Sequence, residues 1–151
     1  MKNIFTRTTT EKKFEDLNPS FIRNFRKSCE THNLGDIEKD VLRCFETRNE
    51  KKGFLGQLKI SHTVICATQK MLFWDIIKEK KDTDIAIALF SEIQEVKDYE
   101  TGEAAKIYQD HGLEFFGFIY KWSRRSSWFI GLGNDTDGEQ CRIFLKDLIR
   151  K

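Results

Sequence analysis

A chain of 151 residues and 17.8 kDa is the size of one domain and can bury roughly 68–70% of its extended surface, enough for a core. Charged residues are 33%, which alone would permit disorder, but 13% aromatics, with 13 Phe, argue against it. A formal net charge of +2 excludes uniform basicity as the basis of function and leaves only its distribution.

Residues 1–15 are rich in Thr and Lys and carry no hydrophobic period, so a loose tail is expected. Met1 to Phe5 lead into Thr and Lys rather than an apolar stretch, so no secretory signal is expected, and Lys2 excludes N-myristoylation of this start. Asn18-Pro19 then reads as a helix start, with Asn at the cap and Pro in the first turn. Phe21, Ile22, Phe25 and Cys29 form one apolar stripe, and the helix is expected to end near His32 to Gly35 and to dock on the rest of the chain. Residues 1–35 are therefore read as tail plus docked helix, and 36–151 as the main domain.

From residue 41 the period changes. Strands are expected in the later part of Val41 to Arg48, at Leu58 to Thr68, Lys70 to Ile77, Ile85 to Phe90, Ile93 to Tyr99, Leu113 to Trp122 and Ser127 to Leu132. In the third, Met71 and Phe73 alternate with Leu72 and Trp74, so both faces are partly apolar. Thr136-x-x-Glu139 reads as a capping box, and Cys141, Phe144, Leu145 and Leu148 follow at helical spacing, with Lys146, Arg150 and Lys151 toward the end. The plan is mainly β: a seven-stranded antiparallel bent sandwich or barrel, capped by a C-terminal helix and carrying an extra N-terminal helix.

No apolar run reaches about 18 residues, so no membrane-spanning helix is expected. Cys29, Cys44, Cys66 and Cys141 show neither a C-x-x-C pair nor zinc-finger spacing and are expected to be buried, reduced thiols of a cytosolic protein. His32, His62 and His111 have no metal-ligand spacing. Gly131-Leu132-Gly133 lacks the third glycine of a dinucleotide loop. Asp135 to Gly138 suggests a calcium loop, but the register would need an acid at Gly133 and Glu at Phe144. No enzyme activity and no cofactor are expected, and a sequence pI of 8.3 without an RNA-binding signature argues against nucleic acid.

Three clusters of cations fall where turns are expected: Arg48, Lys51 and Lys52; Lys78, Lys80 and Lys81; Lys121, Arg124 and Arg125. Acids gather elsewhere, at Glu92, Glu95, Asp98, Glu100 and Glu103 and again at Asp135, Asp137 and Glu139. The expected molecule is therefore polarised despite its low net charge. Phe54 and Leu55 follow the first cluster and Trp122 lies within the third, which suits insertion beside a charged ring. The alternative is that Phe54 and Leu55 open a strand and point into the core.

Phe73-Trp74-Asp75, the Lys-rich 78–81, Ser91-Glu92-Ile93-Gln94-Glu95-Val96 after Phe90, Phe115-Phe116 and the ending Phe144 to Lys151 together resemble a pleckstrin homology (PH) domain, most closely that of phospholipase C, over residues 41–151. Phe144 stands where that family usually carries Trp. The resemblance implies that the three cationic clusters are the loops ringing one end of the domain and that the ligand is an anionic phospholipid headgroup. Lys59 joins Arg48 by matching strands, whereas Ser61 and His62 stand where strong phosphoinositide binders carry Arg. A looser preference such as phosphatidic acid fits better. The small acylated PH proteins of protist parasites, which bind phosphatidic acid, are a further resemblance, without a motif of their own here. The expected protein is a monomer, cytoplasmic and peripheral to membrane, with a partner protein at the N-terminal helix also open. The rival expectation is a PH- or PTB-like protein-interaction scaffold without specific lipid binding.

Overall fold

The computed structural model describes residues 5–79, 83–120 and 124–150. Alternation along the strands explains the layers. In β2 (Arg43–Lys52), Phe45 faces one way and Cys44 the other; in β3 (Leu58–Ala67), Ile65 and Val64 divide likewise; in β4 (Met71–Lys78), Trp74 and Phe73 do the same. A sheet apolar on both faces must be covered on both. The inner face, with Phe45, Ile65, Leu72 and Trp74, packs on a second sheet and the C-terminal helix. The outer face, with Cys44, Val64, Cys66 and Phe73, packs on the N-terminal helix α1 (Pro19–Thr31).

The first sheet is antiparallel with five strands in sequence order, β5 being Ala86–Leu89. The second has three antiparallel strands, β6 (Ile93–Asp98), β7 (Gly112–Gly117) and β8 (Ser126–Gly131). The sheets form an open sandwich, not a closed barrel. Trp128 of β8 is stacked between Trp74 and Phe115, with centroids 5.3 and 5.4 Å away. Helix α2 (Thr136–Arg150) buries Cys141, Leu145 and Leu148 in the same core, while Phe144 stays half-buried beside Phe45 with the Arg43 guanidinium over its ring.

Helix α1 starts as its sequence predicts: the Asn18 side chain accepts the Ser20 N–H and Pro19 opens the helix. Phe21 and Phe25 are fully buried, so the apolar stripe is spent on this chain's own sheet.

Three expectations are corrected. Residues 1–15 are not a loose tail: Phe5–Lys12 is strand β1, paired with β2 along its length, and the sandwich has this strand in addition to the seven expected. It was hidden because its inward residues after Phe5 are polar and satisfied. The Thr9 hydroxyl lies 2.7 Å from that of Thr47 and accepts the Gly133 N–H. The free edge of β1 is blunted by carboxylates, Asp135 accepting the Thr9 N–H and Asp137 the Glu11 N–H. Those contacts also shift the helix cap. Asp135, not Thr136, caps α2, its side chain accepting from the Gly138 N–H and its carbonyl from the Glu139 N–H. Finally, β7 is shorter than Leu113 to Trp122 and ends at Gly117, after which the Phe118 and Tyr120 N–H groups bond to the carbonyls of Glu92 and Ile87.

Candidate functional site

The parity that sends Phe45 inward also sends Asn49 and Lys51 inward, and the register completes the row. Lys51 stands opposite Lys59, Ser61 opposite Lys78, Phe5 opposite Lys51 and Arg7 opposite Asn49. Beyond the end of the packed core these residues face a cleft of about 590 Å³, whose far wall is Phe129, Ile130 and Gly131 of β8. Trp74 and Ile76 form its apolar side; Lys51, Lys59 and Lys78 bring three cations to it, with Glu79 beside them.

Its polar side is a buried network. Arg7 donates through Nε and Nη2 to the two carboxylate oxygens of Asp110, at 2.8 and 2.7 Å, and through Nη1 to Asn49. Asn49 donates in turn to the Thr63 hydroxyl at 2.8 Å. Arg7 is thus neutralised and structural. Gly131 makes room for it, since a Cβ there would fall 2.3 Å from the guanidinium carbon. The three lysines differ: among the described residues no carboxylate lies within ion-pair distance of Lys51, Lys59 or Lys78.

Above the cleft, the β2–β3 turn closes through the Gly53 N–H on the Gln57 carbonyl and the Gly56 N–H on the Gly53 carbonyl. Gly56 sits at φ +82°, a left-handed conformation that L side chains rarely adopt. The turn throws Phe54 and Leu55 outward, 100% and 83% exposed, which settles the alternative in which they point into the core. Lys51 and Lys52 precede them and Lys59 follows.

The expected cationic ring is only partly assembled. Arg48, Lys51 and Lys52 lie in strand β2 rather than a turn, because β2 runs on to Lys52, and Lys78 ends β4. Arg48 and Lys52 have outward parity, and Arg48 pairs with Glu50 at 3.1 Å. Arg124 and Arg125 are exposed but do not line the cleft, Arg125 lying 5.9 Å from the Phe118 ring centre. Lys80, Lys81, Lys121 and Trp122 lie outside the described residues. Ser61 faces the cleft, whereas His62 turns outward, 3.9 Å from Glu46. Phe5, Arg7, Asn49 and Thr63 were missed as site residues; three consecutive threonines in an apparent tail, a β-prone run, were the available signal for the first two.

The acidic stretch is partly neutralised by α2. Arg142 donates to Asp98, to Glu100 and to the Gly112 carbonyl, and Lys146 to Asp98 at 2.8 Å. Burial pushes Asp98 and Glu100 up, but hydrogen bonds from Lys146 and Arg142 to Asp98 and from Arg142 to Glu100 outweigh it and hold both below the usual carboxylate range.

All four cysteines are free. Burial raises the Cys29 and Cys141 thiols, and contact with Cys44 across the strand pair, then burial, raises Cys66, so these sulfurs are poor nucleophiles. Among the described residues no three His, Cys, Asp or Glu side chains cluster as a metal site, and no helix is long and apolar enough to cross a membrane. No protein-family model, curated protein or solved structure matches the chain.

Proposed function

We propose that the chain is a non-catalytic, PH-like module that attaches peripherally to anionic membrane through the open end of its sandwich. The observation that carries this reading is the β2–β3 tip: an exposed Phe54-Leu55 pair beside Lys51, Lys52 and Lys59, none of which is paired with a carboxylate among the described residues. A solvated apolar pair is disfavoured in water and gains free energy at a lipid interface. The lysines beside it favour anionic headgroups, each by about 1 kcal/mol near a charged leaflet. The order of β2 to β8 followed by α2 supports the PH-like plan.

Lys51, Lys59 and Lys78 hold the headgroup phosphate, with Lys52 at the rim, and Phe54 and Leu55 enter the acyl region. Arg48, Arg124 and Arg125 add attraction at longer range. Sedimentation with phosphatidic acid, phosphatidylserine and phosphoinositide vesicles tests the reading. Binding should be strong at low salt and collapse at moderate salt. No sedimentation with any anionic vesicle overturns it. Salt-insensitive capture of a peptide, without vesicle binding, would favour the protein-interaction alternative.

A further inference from the structure

We propose that the cleft between the sheets seats one anionic amphiphile, a phosphate or carboxylate head on a single alkyl chain. It rests on the membrane reading only for its use of the same lysines. Two features of the cleft point to an anion and to a chain respectively. Lys51 and Lys59 are directly opposite each other across β2 and β3, a like-charge pair that costs stability, and no carboxylate relieves it among the described residues. Glu79 is the one acid among the described lining residues, so the local balance stays positive once Arg7 is discounted against Asp110. An anionic head relieves that repulsion and accepts hydrogen bonds from ammonium groups.

The chain is called for by the opposite side. Trp74, Ile76 and Phe129 line the cleft continuously with the core, and Ile76 remains 43% exposed although it faces the inside of the sandwich. A wholly polar ligand would leave this surface wet; an alkyl chain covers it. The volume, about 590 Å³, is within the usual range for small-molecule sites, roughly 300–1,000 Å³. The occupant comes either from a leaflet, as one chain of a phospholipid beneath Phe54 and Leu55, or from solution, as a monomeric lipid.

The test titrates the full chain with inorganic phosphate and with octyl, decyl and dodecyl phosphate below their micelle concentrations, by calorimetry. Affinity should rise about fourfold per added methylene until the cleft is filled. A terminally brominated decyl phosphate should quench the emission of the stacked Trp74–Trp128 pair, read in a Trp122→Phe background. Ile76→Asn should weaken decyl phosphate at least about tenfold while leaving inorganic phosphate unchanged, and Lys59→Glu, at an exposed position, should weaken decyl phosphate, inorganic phosphate and vesicle binding alike. Equal affinity for phosphate and all alkyl phosphates overturns the inference by showing a headgroup site alone. Vesicle binding without monomer binding overturns it and leaves the membrane reading standing. Saturable monomer binding without vesicle binding supports it and removes the membrane reading.

Discussion

Two groups of cations in this molecule are assembled from distant stretches of chain and treated in opposite ways. Arg142 and Lys146 on α2 meet Asp98, Glu100 and the Gly112 carbonyl, and both cations are paired with carboxylates. Lys51, Lys59 and Lys78 are brought together by strand register and given no carboxylate partner among the described residues. The first arrangement ties α2 to the second sheet. In the second, Lys51 reaches only the Phe5 ring, 5.7 Å from its centre, among the described residues and stands opposite Lys59, which is the pattern of a site whose acceptors come from outside.

The contrast makes separable predictions. Reversing Lys51, Lys59 and Lys78 to Glu together should lower affinity for phosphatidic acid vesicles by more than about 100-fold, at about 1 kcal/mol per cation, with no loss of thermal stability. A parallel fall in melting temperature would show these lysines to be structural after all. Arg142→Met should do the reverse, leaving vesicle binding intact and costing about 2–3 kcal/mol in urea unfolding. That figure is at the low end for a broken buried pair, because Asp98 and Glu100 keep 34% side-chain exposure.

Phe54→Ser with Leu55→Ser should weaken vesicle binding about tenfold and leave unfolding unchanged, since both side chains are exposed. Lys51→Glu alone separates the two roles most finely. It replaces a like-charge cross-strand pair with an opposite one, so stability should rise by about 0.2–1 kcal/mol while vesicle binding falls. A variant destabilised by more than the lost contact of Lys51 with the Phe5 ring, about 0.5–1 kcal/mol, would contradict the unpaired state of Lys59.

Protonation probes the paired group by itself. Asp98 and Glu100 have folded values below their unfolded ones, so their stabilisation is present above about pH 4 and is lost as pH falls through the folded values. Glu11, held down chiefly by its hydrogen bond from Arg43, has the same sign. Asp75 has the opposite sign: burial raises it despite hydrogen bonds from Thr83 and the Ile76 N–H, so its contribution falls as pH rises through its window. Thermal melts should therefore show a small gain on mild acidification and a loss below about pH 4, and Arg142→Met should reduce that loss.

Much of the architecture was legible because it rests on local rules. Asn18-Pro19 announces α1, the alternation of Phe73 with Leu72 and Trp74 announces a sheet covered on both faces, and Cys141, Leu145 and Leu148 announce the buried face of α2. Strand β1 was not legible, because Arg7 and Thr9 are buried through Asp110 and Thr47 rather than through apolar contact. The site was half legible: residue type singled out Lys51, Lys59 and Lys78, but also Arg48 and Lys52, which alternation turns to the other face.

Residue order alone determined most of the elements, though not β1, and the supply of cations, since capping, period and composition act over a few neighbours. Which cations share a cleft, which are cancelled, and whether Phe54 and Leu55 meet core or water were decided by register and by the packing of one sheet on the other. Those are contacts between residues far apart in the chain, and their outcome depends on where every other element comes to rest.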